Sequence, residues 1–137
     1  MSFNLSNVKW GWVALGVVVA FAIAYGSSIC VVAGYSLILS FQSMGPPDQT
    51  MINEFAANAA PGVVGVLIGV GTLVGGLLAG RKAKADALQN SLAVGSITAL
   101  IRFVISPLGG FSLWTAVGVV LAVGGGWVGG QLDNKKA

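Results

Sequence analysis

The sequence predicts an all-α membrane protein, a bundle of four transmembrane helices. Of its 137 residues, 55% are hydrophobic and only 8% are charged, and the mean hydropathy is +0.88. Soluble domains carry about 25% charged residues, so this composition is typical of a polytopic membrane protein. The apolar residues form four runs, each long enough to cross a bilayer core of about 30 Å. We expect one integral membrane domain over residues 1–137, with spans at about 12–40, 62–80, 87–105 and 111–130.

The first span begins at Lys9-Trp10-Gly11-Trp12, where a cation and two tryptophans are typical of the headgroup level. The apolar run from Val13 to Phe41 is longer than a bilayer core requires, which predicts a tilted helix or an extension beyond the membrane after Gly34. Ala22-Ile23-Ala24 resembles a signal-peptide cleavage site. Because the apolar run continues past it, we expect an uncleaved transmembrane helix.

Residues 42–60 form the only substantial loop that the sequence predicts. Pro46-Pro47 interrupts the chain there, and Asp48 is suited to cap a following short helix. Within that helix one face is apolar, which predicts an amphipathic helix on the membrane surface in the first outer loop. The residues of this face are Met51, Ile52, Phe55 and Ala59. Pro61 is expected to begin the second transmembrane helix, at a position that needs no backbone N–H donor.

Glycines recur every three or four residues along the second span, with branched aliphatic residues on its opposite side. Each glycine weakens a soluble helix by up to about 1 kcal/mol relative to alanine. Inside lipid, small residues instead let two helices approach closely and gain dispersion contacts. We therefore expect helix-packing positions on the second and fourth spans at Gly62, Gly65, Gly69, Gly76, Gly80, Gly118, Ala122, Gly125 and Gly129.

Two six-residue segments resemble each other, Gly75–Gly80 near the end of the second span and Gly125–Gly130 near the end of the fourth. The match favours two helical hairpins repeated in parallel orientation. Convergent enrichment of glycine in closely packed helices explains the match equally well.

The charges divide between the two sides of the predicted bundle. Asp48 and Glu54 lie on one side, with Arg102 as the cation nearest to them. The other six cations lie on the opposite side, and the positive-inside rule then predicts that both termini are cytoplasmic. These six are Lys9, Arg81, Lys82, Lys84, Lys135 and Lys136.

Three features resemble the uncharacterised four-helix membrane proteins of bacteria and archaea. They are the opening Lys9-Trp10-Gly11, the element Gly-Gly-x-x-Ala-Gly-Arg from Gly75 to Arg81, and a third helix rich in small residues. The resemblance covers most of the chain and implies a membrane protein of conserved topology, without an assigned activity, in a prokaryotic cytoplasmic membrane. The loop at 42–60 and Arg102 are departures from that pattern.

The residue inventory predicts no catalytic, cofactor or metal site. Histidine is absent, which removes the commonest general base and metal ligand, and the glycine runs lack the Gly-Lys-Ser/Thr ending of a phosphate loop. Cys30 is the only cysteine and lies in an apolar run, so we expect it to be a small core residue. The net charge of +3 comes from cations at the ends of apolar runs, which argues against nucleic-acid binding.

Arg102 is the one ionisable residue inside a span that needs an explanation. It lies about one turn from the end of its helix, where its side chain can extend to the headgroups. Alternatively it points into the bundle on the small-residue face and pairs with Glu54 or Asp48.

Two classes of function follow from the sequence. The first is a non-catalytic structural or accessory subunit surrounded by membrane lipids. Its glycine-rich helix faces pack either with its own copies, as a homo-oligomer, or with a larger membrane complex. The second is a small oligomeric transporter or channel with a polar path along Ser91, Thr98 and Arg102. Transporters place ionisable groups near the midplane, where this chain has mostly Val, Leu, Ala and Gly, so the sequence favours packing.

Overall fold

The computed structural model describes residues 5–83, 86–105 and 113–134. A single 3-10 turn at Leu5–Asn7 precedes four α-helices, and the described residues contain no strand. The helices are α1 (Trp10–Ser43), α2 (Gln49–Ala83), α3 (Ala87–Ile105) and α4 (Leu113–Asn134). All four are long and apolar enough to cross a membrane, which fits an integral membrane protein. The predicted all-α four-helix bundle is confirmed.

The connection between α1 and α2 is much shorter than the predicted loop at 42–60. α1 ends at Ser43, where Met44 adopts a left-handed backbone with a φ of 48°. The Thr50 N–H donates a 2.8 Å hydrogen bond to Asp48 Oδ1, so α2 begins at Gln49 and the predicted Asp48 cap is confirmed. Only five residues, from Met44 to Asp48, separate the two helices.

The predicted surface helix is part of α2. Residues 49–60 are helical, but Pro61 lies inside one continuous helix, so the prediction that it begins the second span is wrong. The reason is that the apolar face of this segment packs against α1 instead of lipid headgroups. Ile52 is buried, and the ring of Phe55 stacks on that of Tyr35 with centroids 4.0 Å apart.

α2 is the central helix and contacts each of the other three. Neighbouring glycine contacts show that α1 and α3 run antiparallel to α2, whereas α4 runs parallel to it. One buried cluster, which includes Val13 and Val94, lies near the start of α1, and a second, which includes Ile68 and Ala122, lies farther along. Lys9 and Lys82 lie at the same end of the bundle, which we call the basic end.

The two hairpins differ greatly in length. α1 and α2 have 34 and 35 residues, or about 51 and 52 Å, whereas α3 and α4 have 19 and 22 residues, or about 28 and 33 Å. The first hairpin therefore extends past the second at the end opposite the basic end. We call this extension, residues 31–60, the hairpin arm. The inequality favours convergent glycine enrichment over a repeated hairpin.

Candidate functional site

The first half of α4 packs against small residues of α2. A Cβ added at Gly65 would lie 3.0 Å from the Trp114 carbonyl oxygen, and one at Gly62 would lie 3.3 Å from the Trp114 ring. A Cβ at Gly69 would lie 2.8 Å from Leu121 Cβ. Separations below about 3 Å are closer than carbon atoms tolerate, so the two helices approach as closely as glycine permits.

The second half of α4 continues the same contact. A Cβ at Gly125 would meet the Gly69 carbonyl oxygen and the Thr72 hydroxyl, and one at Gly129 would lie 3.0 Å from the Leu73 carbonyl oxygen. Ala122 is completely buried, whereas Trp127 points outward with 52% of its surface exposed. The α2–α4 contact thus uses glycine backbones on both helices.

The contact between α1 and α2 uses glycines that the expected packing positions do not include. A Cβ at Gly71 would lie 2.5 Å from the Ala20 carbonyl oxygen, and one at Gly16 would lie 2.7 Å from the Gly75 carbonyl oxygen. The signal was present in the sequence as matching four-residue spacings, Gly16 to Ala20 and Gly71 to Gly75. Spacing alone could not show which partner helix each glycine faces.

α3 packs on α2 and α4 through small and polar residues. A Cβ at Gly95 would lie 2.7 Å from the Ala122 carbonyl oxygen, and one at Gly126 would lie 2.6 Å from the Ser91 carbonyl oxygen. A Cβ at Gly76 would lie 3.3 Å from Ser91 Cβ. Gly80, the remaining expected position on α2, is buried. Main chains therefore meet directly near the middle of the bundle.

The predicted polar face of α3 points into the bundle. Ser91 and Thr98 are completely buried. The Ser91 hydroxyl donates a 2.6 Å hydrogen bond to the Gly76 carbonyl oxygen, so it joins α3 to α2. Thr98 Oγ1 is buried and has no hydrogen-bond partner. A buried hydroxyl without a partner is destabilising by about 1–3 kcal/mol, so Thr98 is the unusual member of this face.

Arg102 lies at the contact between α3 and α4. Its Nη2 donates a 3.3 Å hydrogen bond to the Trp114 carbonyl oxygen, while its Nε is buried without a partner. Gly118 makes room for the guanidinium group, because a Cβ there would lie 2.9 Å from Arg102 Cζ and closer still to Nε. The arginine is therefore held by α4.

The predicted ion pair between Arg102 and Glu54 does not form. Arg102 bonds to the Trp114 carbonyl, and the same carbonyl lies against Gly65 of α2, so Arg102 is level with Gly65. Glu54 is exposed and precedes Gly65 by eleven residues in the same helix, a distance of about 16 Å along the axis. The pairing required a surface helix folded over α3, whereas the continuous α2 carries Glu54 away along the arm.

At the basic end, Asn90 joins the start of α1 to α3. Asn90 is completely buried, and its Oδ1 accepts a 2.8 Å hydrogen bond from the Lys9 N–H. Its Nδ2 donates to the Asp86 carbonyl oxygen at 3.1 Å, and Asn7 Nδ2 donates to Asp86 Oδ2 at 2.8 Å. Sequence reasoning missed Asn90; its only signal was an amide, next to Gln89, at the start of an apolar run.

The predicted division of charge fits the arrangement of the described helices. Lys82 Nζ lies 5.8 Å from the centroid of the Trp12 ring, so the cations after α2 and before α1 share the basic end. Asp48 and Glu54 lie on the hairpin arm, at the opposite end. Lys84, Lys135 and Lys136 lie outside the described residues.

The remaining chemical expectations concern metal ligands and Cys30. Across the described residues, no group of three His, Cys, Asp or Glu side chains could hold a metal ion. Cys30 is an exposed free thiol, so the expectation that it is a core residue is wrong. Its run is apolar on every side of the helix, and α2 covers only one side.

Comparison with known protein families, curated proteins and solved structures finds no match to this chain.

Proposed function

We propose that this chain is a non-catalytic structural or accessory subunit of a membrane, and that it acts by packing with its own copies or with a larger membrane complex. Both termini are cytoplasmic in this proposal, which the cations of the basic end support through the positive-inside rule. The membrane is a prokaryotic cytoplasmic membrane, in keeping with the resemblance of Gly75–Arg81 to small four-helix proteins.

The observation that carries the proposal is the closed middle of the bundle. Gly95 lies against the Ala122 carbonyl, Gly76 lies against Ser91, and Gly126 lies against Gly95. A water-filled path needs space between helices, whereas these contacts leave less room than one methyl group. Two hydroxyls in this region donate to carbonyl oxygens of α2, that of Ser91 to Gly76 and that of Thr72 to Gly69. These contacts favour packing over transport.

The test is the mass of the assembly. The full chain, tagged at one terminus, is extracted from membranes in mild detergent, and its mass is measured by light scattering with detergent correction and by native mass spectrometry. We expect a defined multiple of 13.8 kDa or a complex of fixed stoichiometry. A monomer with no partner in fixed ratio would contradict the proposal.

A small transporter or channel is the second candidate, and one observation favours it. Thr98 Oγ1 and Arg102 Nε are both buried without a hydrogen-bond partner and lie one turn apart on α3. Such groups line polar paths in membranes. Ion flux into proteoliposomes, lost in Thr98→Val but retained in Thr50→Val, would support this candidate. Flux equal to that of protein-free liposomes would exclude it.

The orientation has its own test. Single cysteines at Asp48 and at Lys82, each in a Cys30→Ser background, are labelled with a membrane-impermeant maleimide in intact cells. We expect labelling at position 48 only. Labelling of both sites from the outside would contradict the proposed topology.

A further inference from the structure

We propose that the side of α1 facing away from α2 is the interface between two copies of this chain. The interface is a stripe formed by Gly26, Cys30, Gly34, Leu37 and Phe41, which we call the outer stripe. This inference rests on the proposed function and deepens it, because it names the surface that packs and the partner that covers it.

The spacing of these residues puts them on one side of the helix. They follow one another at intervals of four, four, three and four residues, which is the repeat of a single helical face. α2 covers the opposite side, where Ala24 is buried and Tyr35 stacks on Phe55. A Cβ added at Gly26 or at Gly34 meets nothing within 4 Å. The outer stripe is therefore open along its whole length.

The length of α1 shows that lipid alone does not cover the stripe. A helix of about 51 Å fits within a hydrocarbon core of about 30 Å only if it tilts by about 54°, beyond the usual range of about 0–40°. Measured from Trp10 at the basic end, the core ends after about 20 residues, close to Cys30. Leu37 and Phe41 then lie about 10 and 16 Å farther along the helix, and they are 61% and 82% exposed.

The part of α1 past the hydrocarbon core exposes apolar area on the side of the outer stripe. Leu37 and Phe41 belong to the stripe, and Ile38 and Met44 lie beside it; each of the four is more than half exposed. At roughly 100 Å² each, which corresponds to ~2.5 kcal/mol at ~25 cal/mol per Å², these side chains offer about 400 Å² per copy. Two copies then bury about 800 Å² outside the lipid, and the close approach at Gly26, Cys30 and Gly34 adds contact area toward the ~1,000 Å² of a specific interface.

The stripe is also complementary to itself. Copies in one membrane share an orientation, so two α1 helices run parallel and each stripe residue meets its own counterpart. Gly26, Cys30 and Gly34 allow the helices to cross closely, and Leu37 and Phe41 fill the space where they diverge. α1 carries no charged residue from Trp10 to Ser43, so no like charges oppose each other across the pair. A second copy is thus the occupant that fits.

The native Cys30 supplies the test. Membranes containing the full chain are treated with copper phenanthroline, which oxidises two neighbouring thiols to a disulfide, and dimers are counted on a non-reducing gel. Two control variants in a Cys30→Ser background carry Ile29→Cys or Val31→Cys; both positions are exposed at the same depth but face about 100° away. We expect the Cys30 chain to form at least five times more dimer than either control. Equal yields at the three positions, or no dimer at Cys30, would overturn the proposal.

A second pair of variants separates the interface from the fold. Gly34→Leu fills the stripe without an intrachain clash, and Gly124→Leu is a matched change on the outward side of α4, where a Cβ also meets nothing within 4 Å. We expect Gly34→Leu to abolish the Cys30 dimer and Gly124→Leu to retain it, with unchanged helix content in both variants. Retention of the dimer in Gly34→Leu would contradict the proposed interface. A multimeric mass without a Cys30 link would overturn the interface while leaving the proposed function standing, and a monomer with no partner in fixed ratio would overturn both.

Discussion

Gly124 and Gly125 are neighbours in α4 that face different surroundings, and alanine at each measures the α2–α4 contact. A Cβ at Gly125 would meet the Gly69 carbonyl oxygen and the Thr72 hydroxyl, and would lie 3.1 Å from the Leu73 nitrogen. A Cβ at Gly124 meets nothing within 4 Å. Both substitutions gain the same helix propensity, so a difference between them reports the contact alone.

The magnitude follows from which atoms must move. Glycine to alanine in an open helix position stabilises by about 0.5–1 kcal/mol, which is the expectation for Gly124→Ala. At Gly125 the neighbours are mainly backbone atoms of α2, which cannot rotate away, and overpacking of this kind is destabilising by about 1–3 kcal/mol. The two variants should therefore differ in free energy of unfolding by about 1–3 kcal/mol, with Gly125→Ala the less stable.

The assay is unfolding in mild detergent by added dodecyl sulfate, followed by circular dichroism, with both variants measured beside the native chain. Identical unfolding midpoints for Gly124→Ala and Gly125→Ala would refute the reasoning. Such a result would mean that α2 and α4 can move apart at no cost in free energy, and that the glycine contacts do not stabilise the bundle.

Three further predictions follow from other contacts. Asn90→Ala should destabilise the fold by about 1–3 kcal/mol, because it leaves the Lys9 N–H without the side-chain acceptor it has in the native chain. Hydrogen exchange of the backbone amides should quicken in the first turn of α1, and Asn58→Ala, at an exposed position, should have no such effect. Gly118→Leu should be destabilising in the native chain but less so when combined with Arg102→Ala, because the leucine and arginine side chains compete for one space. Unfolding titrations should give a coupling free energy of about 0.5–3 kcal/mol between the two changes. Zero coupling would contradict the Arg102–Gly118 contact. Arg102→Gln and Glu54→Gln should be additive within about 0.5 kcal/mol, because Glu54 lies about 16 Å along α2 from Gly65, the level of Arg102. A clear coupling between them would show that the arm folds back over α3.

The candidate site was only partly readable from the sequence. Glycine spacing indicates that Gly65, Gly69 and Gly125 lie at close helix contacts, because glycine offers lipid little dispersion energy. The same spacing does not tell which helix each glycine faces. Gly71 and Gly75 are not among the packing positions predicted on α2, yet they form the α1–α2 contact. Asn90 gives no periodic signal at all, since its importance comes from the Lys9 N–H, which is 81 residues away in the chain.

The sequence by itself determined the four helices and several of their ends. α3 begins at Ala87 and ends at Ile105 as the apolar run predicts, and Asp48 caps α2 as its residue type predicts. These features are local, because hydrophobicity and capping depend on neighbouring residues and a chain in lipid must satisfy its own backbone hydrogen bonds. Only the tertiary structure decided that α2 continues through Pro61, that Arg102 bonds to the Trp114 carbonyl instead of Glu54, and that Cys30 is exposed. Each of these features depends on which part of the chain, distant in sequence, covers a residue. A run that is apolar on every side of its helix does not indicate which side another helix will cover.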